Sequence, residues 1–229
     1  MAAAWRERTV AVIGCGGLGV PAAWTLALAG ARDLRVIDPD RVEASNLHRQ
    51  VLYGEADVGR LKVEVIARRL GSDFPGLRIA SVAERVDPEN VESLLSGCSV
   101  VIEGSDDAFA KFVVNDWAVS NVAGQRQRHA SIAAAIGRRG QWMVVHPGGG
   151  CYRCLFEEPP PAEMLATCLT AGVLGPVVAT VGALAARSLI AVLEGRPDPA
   201  DSALVRWLPG DIRTTSVAVA SDCRCQRRR

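Results

Sequence analysis

Two sets of residues in this 229-residue chain combine types and spacing suited to chemistry. The first starts at the glycine turn Gly14-Cys15-Gly16-Gly17-Leu18-Gly19, directly after the short β-branched and apolar run Thr9 to Ile13. Gly14 permits a tight turn, Gly16 lets a phosphate reach the backbone, and Gly19 allows a helix to lie close on a strand. Asp38 lies 19 residues beyond Gly19, where an acid can bond the hydroxyls of a ribose. On the glycine pattern alone, NAD-type and ATP-type ligands fit equally well. The second set is the cysteines. Cys151 and Cys154 form a CxxC and Cys223 and Cys225 a CxC, with Cys168 between them. Two close pairs separated by a long interval point to a metal rather than a disulfide framework.

The residues beyond Asp38 favour a nucleoside triphosphate. The segment Asp38 to Gln50 is polar and carries Asp40, Asn46, Arg49 and Gln50; Lys62 comes after Gly59-Arg60-Leu61. A helix N-terminus contributes only about 0.3–1 kcal/mol towards holding an anion, so a glycine turn cannot by itself offset three charged phosphates. Charge-assisted bonds from Arg49 and Lys62 supply roughly 1.5–3 kcal/mol each. Asp106, at the tip of a later apolar run, is placed to hold Mg²⁺ with the phosphates as co-ligands. Each residue also has a plainer reading. Arg49 and Lys62 can be surface charges, and Asp106 a helix N-cap. As a set in this order they favour the ATP reading.

The elements that must position them can be read from periodicity. Thr9–Ile13, a helix over Val20–Ala29 closing on Gly30, and Leu34–Ile37 make a βαβ unit of the doubly wound kind. Further helices are expected at Arg60–Leu70, Asn90–Leu95 and Ala108–Val122, with strands at Leu77–Val82 and Ser99–Ile102. The second half changes character. Strands at Ala130–Ile136 and Gln141–Val145 flank a Gly-Arg-Arg-Gly turn, and the Gly-, Pro- and Cys-rich stretch Pro147–Pro161 reads as a loop. A long apolar helix over Pro176–Leu193 precedes strands within Leu204–Val219. Its apolar stretch contains Gly172, Gly175, Pro176, Gly182 and Arg187, which suits a buried core helix better than a membrane span.

These motifs, in this order, resemble the ThiF/MoeB/HesA family, bacterial relatives of the ubiquitin-activating enzymes. GCGGLG at 14–19, DPDRVEASNLHRQ at 38–50, Gly59 to Lys62, SDD at 105–107, CYRC at 151–154, CLTAGVLGPVV at 168–178 and the last cysteine pair carry the likeness over nearly the whole chain. The resemblance implies an α/β fold: a doubly wound, Rossmann-like, mostly parallel sheet continued by antiparallel strands, with a structural zinc site. It implies one unit over 1–229, with a nucleotide-binding part at about 1–125 and a partner-binding and zinc part at about 126–229. The implied activity is ATP- and Mg²⁺-dependent adenylylation of the C-terminal glycine carboxylate of a small ubiquitin-like sulfur-carrier protein ending in Gly-Gly. Asp38 would bind the ribose; Asn46, Arg49 and Lys62 the phosphates; Asp106 would serve Mg²⁺ and catalysis. Cys151, Cys154, Cys223 and Cys225 would hold Zn²⁺, with a redox-active or merely reduced pair as the alternative. In the thiamin branch, a cysteine at the position of Cys168 links covalently to the carrier's sulfur; a packed helix-start cysteine is the other reading.

Departures from the family pattern shape further expectations. The N-terminal arginine-bearing segment that reaches a neighbouring subunit's ATP site is missing ahead of Thr9, which keeps open a non-catalytic scaffold of the same fold. An NAD-dependent oxidoreductase is the remote alternative. Asp106-Asp107 stands where Asp-Asn is usual, adding negative charge near the phosphates. Arg138 and Arg139 occupy a loop that differs in relatives, and the last pair is CxC rather than CxxC. No rhodanese-like extension comes after it, so a separate sulfur donor is expected. A homodimer is expected too. Hydrophobic content of 49%, net charge +1 and a pI near 7.6 give no case for disorder and none for nucleic acid or membrane as partner. The expected location is the cytoplasm. Cys15 and Cys98 read as buried small residues, and His48, His129 and His146 as scattered.

Overall fold

The computed structural model of the chain describes residues 4–120, 127–161 and 172–223. It runs β1 (Thr9–Ile13), α1 (Gly19–Leu28), β2 (Asp33–Ile37), α2 (Lys62–Asp73), β3 (Arg78–Val82), α3 (Val91–Leu94), β4 (Cys98–Glu103) and α4 (Ala108–Val119). Then come β5 (His129–Ile136), β6 (Arg139–Val145), α5 (Tyr152–Leu155), α6 (Gly175–Leu193), β7 (Ala203–Leu208) and β8 (Asp211–Ser216). One sheet of eight strands holds them, in the order β3-β2-β1-β4-β5-β6-β7-β8. Pairings from β3 through β5 are parallel and those from β5 to β8 antiparallel, as the resemblance implied.

The order explains where a site can form. From β1 the chain builds outward through β2 to β3, then returns to add β4 on the other side. Beyond the carboxyl ends of β1 and β4 the connecting segments diverge and leave a crevice, the place where doubly wound sheets bind ligands. The central strands are buried on both faces; all six residues of β4 are buried. Side chains alternate, so Val12, Val36 and Val144 face one core layer with Leu26, Ile66 and Leu189, while Ala11, Ile13 and Val101 face another with Phe112, Trp117 and Met143. Helices α1, α2 and α6 fill the first layer and α4 the second.

Helix α6 is long and apolar enough by length and composition to cross a membrane. Here it packs on α1, β5 and β6. Two glycines make the fit possible. A Cβ on Gly182 would sit 2.1 Å from the Leu18 carbonyl oxygen, and one on Gly140 of β6 would meet Val181 Cγ2 at 2.2 Å. Pro176 occupies the first turn of α6, where its missing N–H costs nothing.

Several boundaries differ from those expected of the sequence. Helix α2 starts at Lys62 rather than Arg60 because residues 60 and 61 are held by neighbouring strand-like pairing, Arg41 bridging Leu61. The Gly-Arg-Arg-Gly turn is shorter than expected: Gly137 and Arg138 alone form the loop, with Gly137 at φ +57°, while Arg139 already pairs with Ile136. The stretch Pro147–Pro161 contains the helical turn α5, and Leu204–Val219 holds two strands around the Pro209-Gly210 turn. The helix expected to reach Val122 is described to Val119; Asn121 and Val122 lie outside the described residues.

Gly182→Ala forces its Cβ against fixed backbone, an overpacking change of about 1–3 kcal/mol. For a chain this size that lowers the melting temperature by roughly 2–12 °C. Thermal unfolding tracked by circular dichroism checks it, with Gly71→Ala, where a Cβ meets nothing, as the harmless control.

Candidate nucleotide site and cysteine cluster

The crevice beyond β1 and β4 opens into a cavity of about 1130 Å³. Its lining brings together Gly14, Gly16, Gly17, Asp38, Asp40, Asn46, Arg49, Gln50, Lys62 and Asp106, residues drawn from four separate stretches of chain. Of the glycines expected at the turn, Gly19 stands behind the wall. Its Cβ would lie 1.7 Å from the Gly14 carbonyl oxygen, so the first turn of α1 rests directly on the end of β1. Gly14 has φ +83°, and a Cβ there would strike the Ser105 backbone nitrogen at 2.6 Å. Gly16 is different, with nothing nearer to a Cβ than Gln50 Nε2 at 3.5 Å. The turn therefore presents open backbone to the cavity.

Asp38 is buried at the end of β2. Its Oδ2 accepts the Cys15 N–H at 2.6 Å and its Oδ1 the Asp40 N–H at 2.8 Å. Burial raises its carboxyl above the usual range, opposed by Lys62 and by these two N–H groups. Asp38 thus welds the glycine turn to the next loop. Lys62 is buried at the start of α2, and its Nζ meets Asp40 Oδ2 at 2.8 Å, where the Asp40 side chain is 56% exposed. Arg49 Nη2 donates to Asn46 Oδ1, and Arg49 Nη1 to the Ser45 carbonyl at 3.3 Å. Asn46 Nδ2 in turn donates to Glu43 Oε2 at 3.2 Å. Gln50 is buried, and its Oε1 finds no hydrogen-bond partner among the described residues. A buried amide oxygen left so at the cavity wall suits a ligand donor.

The loop from residue 38 to 62 owes its shape to residues that no sequence motif singles out. Asp57 is buried, accepts the Gly54 N–H at 3.1 Å, and pairs with Arg68 at 2.6 Å and Arg69 at 3.3 Å. Those bonds, the Gly54 N–H foremost, hold its carboxyl below the ordinary range. Tyr53 donates its hydroxyl to the Cys15 carbonyl at 2.7 Å, closing the loop on the glycine turn.

Asp106 is exposed and lines the cavity, and the helix cap is its neighbour. Asp107 accepts the Phe109 N–H at 2.8 Å and the Ala110 N–H at 3.3 Å, and meets Arg85 Nη1 at 2.8 Å. Asp107 lines the same cavity as Asp106, so the extra negative charge expected there is present but partnered. The Asp107 charge is taken up by the α4 N-terminus and an arginine.

Beneath this loop lies a pair that sequence reasoning missed. Glu103 ends β4 fully buried, and Lys111 of α4 reaches its Oε2 at 2.5 Å. The same ammonium donates to the Ser105 carbonyl at 2.7 Å and the Ala133 carbonyl at 2.9 Å, so one side chain ties α4, the Asp106 loop and β5 together. Burial pushes the Glu103 carboxyl up, opposed by Lys111 and Ser105. The available signal was an acid ending an apolar strand, with a lysine eight residues on in the apolar first half of the next helix.

Among the described cysteines, Cys151 Sγ stands 3.7 Å from Cys154 Sγ and 3.6 Å from Cys223 Sγ. These separations exclude disulfides and match the edge of a four-thiolate tetrahedron, about 3.8 Å for Zn–S bonds of about 2.3 Å. The Asn115 Nδ2 and Ala220 N–H groups point at Cys151 and Cys154 sulfurs, at 3.8 and 3.5 Å. The cluster has the geometry to hold a zinc ion. Cys225 and Cys168 lie outside the described residues. Cys15 and Cys98 are buried, as expected, and burial raises both thiols. The histidines are less scattered than expected. His129 and His146 rings lie 5.5 Å apart and His146 Nε2 meets Asp201 at 2.9 Å, while His48 Nδ1 meets the Ser45 carbonyl at 3.0 Å.

Lys111→Met leaves Glu103 buried without its cation, a loss of about 3–5 kcal/mol. Denaturant unfolding should show it, and the double variant Lys111→Met/Glu103→Gln should recover a substantial part.

The ThiF family model matches residues 2–226. A sulfur carrier protein adenylyltransferase of Thermus thermophilus is 36% identical over 225 residues, covering 96% of this chain and 82% of that protein. A SAMP-activating enzyme E1 of Haloferax volcanii is 35% identical over 216 residues, 94% of this chain and 78% of that one. The adenylyltransferase and sulfurtransferase MOCS3 of Bos taurus is 42% identical over 187 residues, 81% of this chain. The chain spans only 40% of the length of that relative, and the same share of the uba4 protein of Aspergillus niger. Among solved structures, E. coli MccB with ATP superposes with TM-score 0.82 at 22% identity, over 98% of this chain and 67% of that one.

Proposed function

The chain belongs to the ThiF family, and we propose that it adenylylates the C-terminal glycine carboxylate of a small ubiquitin-like sulfur-carrier protein at the expense of ATP. The observation that carries this reading is the convergence of Asp38, Asn46, Arg49, Gln50, Lys62 and Asp106 on one cavity beside an open glycine turn. The names of its relatives point the same way.

In this reading the ribose hydroxyls lie against Asp38 and the phosphates against the glycine turn, Asn46, Arg49 and Lys62. A carboxylate oxygen of the carrier attacks the α-phosphorus. The bond from that phosphorus to the bridging oxygen breaks, and pyrophosphate leaves with the electron pair. The nucleophile is already ionised at neutral pH, so no side chain has to remove a proton. The work of the protein is alignment and neutralisation of charge. Lys62 and Arg49 are suited to it because their present partners are replaceable: a half-exposed carboxylate and an amide oxygen. Asp106, whose charge is not spent on capping α4, would hold Mg²⁺, which supplies further neutralisation on the triphosphate. Cys151, Cys154 and Cys223, with Cys225, would hold a structural zinc. The reading also takes the chain as a homodimer and leaves Cys168 available for a covalent link; the resemblance supports these two points.

Pyrophosphate release with a carrier ending in Gly-Gly tests the activity. Arg49→Ala and Lys62→Ala each remove roughly 1.5–3 kcal/mol of charge-assisted bonding, or about 10- to 150-fold in kcat/KM. Asp106→Ala should lower kcat further still. Wild-type rates in these variants would sink the site assignment. For the metal, fresh protein should contain close to one equivalent of zinc, and Cys151→Ser should lose it along with protection of the β8 amides from hydrogen exchange.

A further inference from the structure

The wall of the cavity opposite the glycine turn carries a charge pattern that adenylylation itself does not use. Arg139 of β6 and Arg206 of β7 both line the cavity. The register places them on one face: Gln141 lies opposite Arg206, so Arg139, two residues away on β6, is its diagonal neighbour. On the next strand Arg213 of β8 stands directly opposite Arg206. All three are exposed. Like charges directly opposed across two strands destabilise a sheet. Internal relief is partial: Asp211 meets Arg213 Nε at 2.6 Å, and Arg206 donates to Thr215 Oγ1 at 3.2 Å. Glu158 is a further acid on the cavity rim. A local arrangement that opposes stability on an open face adjoining a site is where function is expected to provide the compensation.

The register also gives the distance. Glu103 of β4 pairs with Ile132, and Ala134, two residues further, pairs with Gln141 and through it reaches Arg206. Arg206 therefore stands level with Ser105, beside Asp106. From β4 to β7 is three strand spacings of about 4.8 Å, or some 14 Å, which an extended chain covers in about four residues; β8 lies about two residues further. A tail whose terminal carboxylate sits at the Asp106 end of the cavity and runs out across this face passes Arg206 and Arg213 about four to six residues from its end.

We propose that Arg139, Arg206 and Arg213 form a selectivity surface for a carrier bearing carboxylates about four to six residues ahead of its C-terminal glycine. This rests on the proposed adenylylation and specifies which carriers the site accepts. The guanidinium fork suits paired carboxylates, and a tail of that charge relieves the opposed arginines when it docks.

The test uses the full chain, a non-hydrolysable ATP analogue and three labelled ten-residue peptides ending in Gly-Gly. They carry aspartates, serines or lysines at the fourth to sixth positions from the end. Fluorescence anisotropy should show the aspartate peptide binding about tenfold or more tighter than the serine peptide at low salt, with the gap closing as salt rises. In Arg139→Glu/Arg206→Glu the order should invert in favour of the lysine peptide, and Arg206→Gln should melt no lower than the wild type. Equal affinities for the three peptides, an order unchanged in the double variant, or no peptide binding while the ATP analogue binds, each overturn the inference and leave adenylylation standing. Failure of the ATP analogue to bind overturns the underlying reading, and this inference with it.

Discussion

One backbone contact governs the arrangement: the first turn of α1 lies so close to the end of β1 that no side chain fits at Gly19, and the backbone of Ser105 closes Gly14 in the same way. Because that approach is closed to all other residues, the amide groups of residues 16 and 17 can be offered to a ligand, and the tip of β4 can rest against the turn at Ser105. The same closeness recurs on the outer side, where Val178 of α6 would touch a Cβ on Gly17 at 2.7 Å. The crevice that the strand order makes available becomes a phosphate-sized concavity only because of these bare positions.

Two kinds of contact to a cation surround the crevice and do different work. Lys111 and Glu103 are dry, and the ammonium is further fixed by two carbonyls; taking away either partner strands a charge, so this pair behaves as a rivet. Lys62 with Asp40, and Arg49 with Asn46, sit where solvent reaches one partner. Water can replace the partner that an incoming phosphate displaces, so these cations can be lent to a ligand at modest cost. Asp107 is engaged differently, by the first N–H groups of α4 and by Arg85. By capping α4 it spares Asp106 that duty.

The site was legible where the chemistry is written in short runs of sequence. The glycine turn, Asp38 and the polar segment through Lys62 are local, and local patterns carry over to structure: every candidate ligand residue of that series except Gly19 lines the cavity. The cysteine pair at 151 and 154 was legible for the same reason, and Cys223 joins it across 72 positions. What escaped was non-local or decided by one-residue choices. An acid ending one apolar run and a lysine in the next hint at the Glu103–Lys111 pair, but only the packing of α4 on β4 joins them. The choice between Asp106 and Asp107 as cap depends on backbone angles, not composition. Asp57 is set apart from other loop acids only when α2 brings two arginines to it. The fold class was carried by alternating strand and helix patterns, whereas the exact ends of α2 and of the β5–β6 hairpin depended on pairing partners that periodicity does not encode.

The contact between Gly17 and Val178 has a consequence for how such a chain comes into being. The glycine turn is made well before the helix beginning at Gly175 that supplies one of its walls. Until that helix is made, the chain holds a half-built pocket that lacks its apolar flank. A ligand of this pocket would thus report on completion rather than on the early βαβ unit. A cut between β5 and α6 would divide the pocket itself, so the two halves would have to evolve, or be recombined, together.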